Sequence, residues 1–121
     1  MNGKLPHLEN AIIAEEKITG YLLSETQEDG RHKAAFFMRF GFSLAEWEEL
    51  AGALRQHVAD NEVASVLQTP HGEHYAVEGP LQTPTDETPL VRTVWALDTD
   101  STTPRLITAY PLRPGKEQED D

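Results

Sequence analysis

The 121-residue sequence contains no cysteine. Structural disulfides and thiolate metal sites are excluded, and a reducing compartment is the simpler expectation. No stretch approaches the roughly 18 apolar residues that a membrane helix needs. Residues 1–13, MNGKLPHLENAII, show no basic segment followed by a long apolar one, as a secretory signal would. The reading is a soluble, cytoplasmic chain without membrane association. Positive charge is also scarce, with 10 Lys and Arg against 21 Asp and Glu and a net charge of −11. That balance argues against broad, nonspecific nucleic-acid binding, which relies on cations neutralising phosphates, but it leaves room for a small local cationic site. It also suits a basic protein partner. There is no Gly-rich phosphate loop and no Gly-x-Ser-x-Gly nucleophile motif, and no cofactor is expected.

What is present reads as one α+β domain over residues 1–112. Residues 113–121 read as an acidic, disordered tail carrying Glu117, Glu119, Asp120 and Asp121. At 38% hydrophobic residues, the chain supports a modest core. About three helices come first. Glu15 to Ser24 places Ile18, Tyr21 and Leu22 on one helical stripe, and a short apolar run, Ala11-Ile12-Ile13, precedes it as a strand or extended arm. A polar loop over 25–30 leads to a second helix from Arg31 to Phe40, stopped by Gly41. Ser43 with Glu46 forms a capping-box pattern for a third helix, whose apolar stripe is Leu44, Trp47, Leu50, Ala51, Leu54 and Val58. After Asn61 the period changes to two. Strands are expected over 62–69, 73–81, 90–98 and 105–112, joined by short links. Those links favour a four-stranded antiparallel meander with helices packed on one face.

The stretch Gly30 to Phe37, GRHKAAFF, concentrates Arg31, His32 and Lys33 against two phenylalanines in an otherwise acidic chain. A helix starting near Arg31 would set basic groups against its own dipole, and would also make a natural anion site there. The plainer reading is a solvated first turn whose basic stems cover apolar surface. In the last two strands, period two puts Thr93 and Trp95 on one face with Arg92 on the other, and Thr108 and Tyr110 together with Arg105 opposite. These residues read either as ordinary sheet surface or as a polar cluster in which Arg92 is a fixed cation and Tyr110 a hydroxyl donor. His71 and His74 lie in a turn and strand with no third ligand, so no metal site is expected. His74 is a candidate general acid or base beside the plainer reading of an exposed strand histidine. His57, ending the third helix, reads as structural, a cation suited to the helix dipole.

The segments Gly-x-x-Lys-Ala at Gly30 to Ala34, Arg-Thr-x-Trp at Arg92 to Trp95 and Pro-Arg-Leu-x-Thr-x-Tyr at Pro104 to Tyr110 resemble a small bacterial family known as a domain of unknown function. The likeness runs from about Leu5 to Leu112. That family in turn resembles the fold group of barnase, EndoU, the tRNase colicins and RelE, metal-independent ribonucleases that are in many cases toxins. The resemblance implies in-line attack of an RNA 2′-hydroxyl on the adjacent phosphate. It implies His32 or His74 as proton movers, Lys33 and Arg92 as charge stabilisers, and Thr108 with Tyr110 as a hydroxyl pair. Arg31, Thr93, Trp95 and Arg105 would bind substrate. The alternative is a non-catalytic acidic interaction protein of immunity or antitoxin type, with a small cognate protein as its partner.

Overall fold

A computed structural model describes residues 3–24 and 28–112, with only the backbone for residues 28–32. The expected acidic tail over 113–121 therefore lies outside the described residues. Helix α1, Glu15–Lys17, runs directly into a π-helical turn, Ile18–Leu22. Helices α2, Glu28–Arg39, and α3, Trp47–Asp60, follow. The sheet comprises β1, Val63–Thr69; β2, Gly72–Pro80; β3, Leu90–Asp98; and β4, Arg105–Pro111. All neighbours pair antiparallel in the order β1-β2-β3-β4, the meander that the alternating pattern and short links imply.

The helix boundaries depart from expectation in two places. Helix α2 begins at Glu28 rather than Arg31, so Glu28 and Asp29 occupy its first turn, where acids suit the dipole. Lys33 stands in the second turn, and the expected conflict between basic groups and the helix N-terminus disappears. Helix α3 starts at Trp47 rather than at Ser43. The Ser43 hydroxyl accepts the Glu46 N–H at 3.3 Å, but this closes a turn ahead of the helix, and Leu44 stays exposed instead of joining the apolar stripe. The end of α2 follows the sequence closely. Gly41 adopts φ 99°, its N–H reaches the Met38 carbonyl at 3.0 Å, and the Phe42 N–H reaches the Phe37 carbonyl at 3.2 Å. This is a Schellman motif, and the Phe37 and Phe42 rings supply its apolar contact at 6.2 Å.

The π-helical turn has a packing consequence. Its bond from the Leu23 N–H to the Ile18 carbonyl, 2.8 Å, spans five residues. The wider turn buries Ile18, Leu22 and Leu23 together, while Tyr21 stays half-buried and turns toward β4. The Ala11–Ile13 run is an extended arm. Ile12 bridges the start of β4 in parallel, with the Ile12 N–H on the Pro104 carbonyl and the Leu106 N–H on the Ile12 carbonyl. Arg55 of α3 holds the same arm through the Ala11 carbonyl at 2.9 Å.

The inner face of the sheet carries Val77, Val91, Thr93, Trp95, Leu106 and Ala109, all buried. Leu106 and Ala109 are three residues apart yet share that face, because β4 has a bulge: Trp95 pairs Leu106 while Val94 pairs Thr108, leaving Ile107 extra. The bulge also corrects the expected placement of Arg105. It pairs with Ala96, on the same face as Arg92, Thr108 and Tyr110, rather than opposite them.

His57 is not a solvated cation at a helix end. It is 2% exposed, its Nε2 lies 2.9 Å from the Val91 carbonyl oxygen, and its Nδ1 lies 3.4 Å from the Thr93 hydroxyl. Trp95 Nε1–H donates to the same hydroxyl at 2.9 Å. One set of roles satisfies every atom: neutral His57 donates from Nε2 to Val91, Thr93 donates to Nδ1, and Trp95 donates to Thr93. Burial, the leading cause, pushes the His57 pKa below its ordinary value of 6.5.

Two predictions follow from this buried relay. Thr93→Val keeps the shape but strands the indole N–H and the imidazole, and should cost about 1–3 kcal/mol in urea unfolding. Below pH 6.5 the unfolded chain binds a proton at His57 that the folded chain refuses. The stability contributed there is therefore complete above that pH and declines as pH falls below it. Imidazole NMR titration should give His57 a midpoint below 6.5.

Candidate functional site: a cationic cleft beside strand β4

Helix α2 runs beside β4, and an open cleft of about 540 Å³ lies between them. Lys33, Phe36 and Arg39 line it from the helix, Tyr110 and Leu112 from the strand end. The helix reads KAAFFMRF here, and a spacing of three places Lys33, Phe36 and Arg39 on one face. Phe36 is largely covered and forms the apolar floor. The Arg39 guanidinium lies over the rings of Phe36 and Phe40, at 5.9 and 5.7 Å from their centroids. Such contacts hold a cation in place without cancelling its charge.

Tyr21 adjoins the cleft. Its ring lies under two ammonium groups, Lys17 Nζ at 5.1 Å and Lys33 Nζ at 5.5 Å from the centroid. Its hydroxyl meets the Thr108 hydroxyl at 3.3 Å. Two residues farther along the same sheet face, Arg92 Nη1 donates to the Tyr110 hydroxyl at 3.1 Å, and Arg92 Nε donates to Glu78 at 2.6 Å. Glu78, Arg92 and Tyr110 sit on three adjacent strands in direct register, Glu78↔Arg92↔Tyr110. Arg92 is thus a cation held by a carboxylate, and its reach into the cleft is through Tyr110.

The sequence-predicted residues therefore divide. Lys33 and Tyr110 line the cleft, Thr108 joins it through Tyr21, and Arg92 joins it through Tyr110. Thr93 and Trp95 are buried in the core relay. His74 and Arg105 border a different cleft of about 530 Å³, with Thr69, His71, Glu73 and Asp98. His74 pairs with Ala96, four residues along β3 from Arg92, or roughly 13 Å away along the strand. Arg105 is bonded to Asp98 at 2.7 Å. In that second cleft Glu73 accepts from Tyr75 and from Gln68, which holds its carboxyl below the usual range and pushes the Tyr75 phenol up to about 12. The side chains of Arg31 and His32 lie outside the described residues.

Sequence reasoning missed Lys17, Tyr21, Arg39 and Glu78. Tyr21 shares the helical stripe of Ile18 and Leu22 and reads as core. Among the described residues no group of three or more His, Cys, Asp or Glu is placed to hold a metal ion, and no helix is long and apolar enough to cross a membrane.

These features define an α+β domain with a cationic, aromatic-lined cleft at one edge of an antiparallel meander. By sequence, the chain belongs to the DUF6883 family, a domain of unknown function, whose model matches residues 4–113. No curated protein matches it significantly. A chain of a contact-dependent growth inhibition toxin–immunity protein complex from Klebsiella pneumoniae 342 superposes with a TM-score of 0.65. The superposition covers 88% of this chain and 97% of that one at 16% identity. That likeness shows a shared fold.

Glu78 and Arg92 are each about a third exposed, at 32% and 33%. Solvent screens such a pair, so Glu78→Gln should lower stability by at most about 1 kcal/mol in urea unfolding.

Proposed function

We propose that this domain is a toxin-type, metal-independent ribonuclease that holds an RNA phosphate in the cleft between α2 and β4. The observation that carries the reading is the convergence of Lys33, Arg39 and Tyr110 around one open cleft in a chain of net charge −11. The fold shared with a chain of a toxin–immunity complex supports it.

In the proposed reaction the RNA 2′-oxygen bonds to the adjacent phosphorus as the bond to the 5′-oxygen breaks. The products are a 2′,3′-cyclic phosphate and a free 5′-hydroxyl. A base takes the 2′-hydroxyl proton and an acid returns one to the leaving oxygen. His32, beside Lys33 in sequence, is assigned as the base. Lys33 stabilises charge on the non-bridging oxygens, with Arg31 and Arg39 as further phosphate contacts. The hydroxyls of Tyr110 and Thr108 orient the phosphate, and Arg92 positions Tyr110. His74, in the second cleft, has no part in this reaction, and Thr93 and Trp95 support the site from the core.

A second reading keeps the fold and drops the chemistry. The net charge of −11 also suits an immunity-type protein that covers a basic partner.

The test is cleavage of total cellular RNA by purified protein in EDTA. Wild type should cleave, and Lys33→Ala, folded by circular dichroism, should lose on the order of a hundredfold in rate. Equal cleavage by both proteins would put the activity elsewhere, and no cleavage by either would favour the immunity-type reading.

A further inference from the structure

The two edges of the sheet are finished differently. Along β4 the Ile12 arm bridges the start, Arg105 supplies a charge, and Ile107 and Pro111 supply a bulge and a proline. Such devices keep an edge from pairing with another chain. Strand β1 has a bulge at Ala64 and nothing after it: Ser65 to Thr69, SVLQT, contains no charge and no proline. The Val63 N–H is taken by the Gly3 carbonyl at 2.8 Å, and among the described residues no backbone group pairs with the outer edge of β1 beyond that point. Thr69↔Gly72 closes a two-residue turn, so the residues hydrogen-bonded to β2 are Thr69, Leu67 and Ser65. The N–H and C=O of Val66 and Gln68 therefore point outward. The side chains are unfinished too. On the inner face the row Leu106, Trp95 and Tyr75 is buried, yet Val66, its last member, is 47% exposed. Leu67, on the other face, is 64% exposed, more than any other large hydrophobic side chain among the described residues.

We propose that β1 pairs with β1 of a second copy of this chain, antiparallel about a two-fold axis at Val66, so that two four-stranded sheets become one of eight strands. Val66 then exchanges both backbone bonds with Val66 of the second copy, and Gln68 meets Ala64. The inner row continues across the axis through two valines. On the outer face the two Leu67 side chains approach diagonally, each beside Ser65 of the other copy. Charge selects this occupant. Two chains of net charge −11 repel, so a contact between them needs a stretch where no acid faces another, and residues 63–69 are neutral throughout. Glu62 falls beside the Pro70–His71 turn of the second copy rather than beside an acid. A basic partner would find no carboxylate along this strand to pair with. The two-fold contact uses up both β1 edges, and the β4 edges are protected, so assembly stops at two. The α2–β4 clefts lie at the far ends of the combined sheet, roughly 34 Å apart over seven strand spacings, and both stay open. The pairing does not depend on what those clefts bind.

The experiment is sedimentation velocity on the full chain. Wild type should pass from the mass of one chain toward that of two as its concentration rises to about 1 mM. Raising salt from about 50 to about 500 mM should move that transition to lower concentration, because screening weakens the repulsion between like-charged copies. Val66→Lys and Val66→Glu, each folded by circular dichroism, should each stay at the mass of one chain, since the axis sets like charges directly opposite. An equimolar mixture of the two variants should recover the mass of two. A wild type that stays at one chain throughout would overturn the proposal. So would folded variants that still self-associate alone, or a mixture that fails to associate, because position 66 would then not face itself. A transition that salt weakens would overturn it too, since unlike charges would then hold the copies together. Amide exchange in the wild type needs no variant: the Val66 and Gln68 N–H groups should exchange more slowly at high chain concentration, and unchanged exchange would count against the pairing as decisively.

Discussion

The hydrogen-bond chain from Trp95 through Thr93 to His57 and the Val91 carbonyl ties α3 to β3 and fixes which residues of that central strand face the core. Three polar side chains are buried there at nearly no exposure, and they are satisfied by one another and by backbone carbonyl oxygen. A one-residue slip of β3 would expose Trp95 and bury Arg92, so the relay specifies the register as well as adding stability. Once Thr93 and Trp95 face inward, period two sends Arg92 outward, where Glu78 and Tyr110 meet it from the flanking strands. The core thus decides which face Arg92 and Tyr110 occupy.

The second constraint is the bulge at Ile107. Without it, Leu106 and Ala109 could not both be buried, and Arg105 would not share a face with Thr108 and Tyr110. Adding one residue turns the end of β4 so that Tyr110 borders the α2 cleft while Thr108 meets Tyr21. The π-helical turn does the matching work on the helical side. It buries Ile18, Leu22 and Leu23 and leaves Tyr21 to bridge core and cleft. Two local irregularities, one in a strand and one in a helix, thus bring together groups from three elements.

The regular parts of this arrangement were legible in the sequence. LVRTVWALD and RLITAYPL alternate as half-buried strands do, and Gly41 marks the end of α2 because the Schellman motif needs its positive φ. The irregular parts were not. A bulge is a property of a pair of strands, so a single strand's pattern cannot reveal it, and Arg105 was placed on the wrong face for that reason. The α2 start was read three residues late, because Glu28-Asp29-Gly30 has the composition of a loop. Thr93 and Trp95 were grouped with Thr108 and Tyr110 because the residue types are alike; only packing shows that the first pair serves the core. Lys17 follows two glutamates in a three-residue helix and looks like any solvated helix end until Tyr21 is seen beneath it.

Charge accounts for the character of the cleft. Of the described cations, Arg92 and Arg105 are held by carboxylates, while Lys4 and Arg55 hold the N-terminal segments to the body through backbone carbonyls. Lys17, Lys33 and Arg39 lie over aromatic rings, as Arg92 also does over Tyr110. A carboxylate cancels most of a cation's field at a distance, whereas a ring face anchors it and removes no charge. Lys17, Lys33 and Arg39 stand together at one edge of the sheet, beside β4. Under the proposed function, a net charge of −11 disfavours a polyanion over the rest of the chain and makes the α2–β4 edge its favoured approach. On that proposal, a strongly acidic chain presents one small anion site whose selectivity comes from repulsion by the rest of its charge.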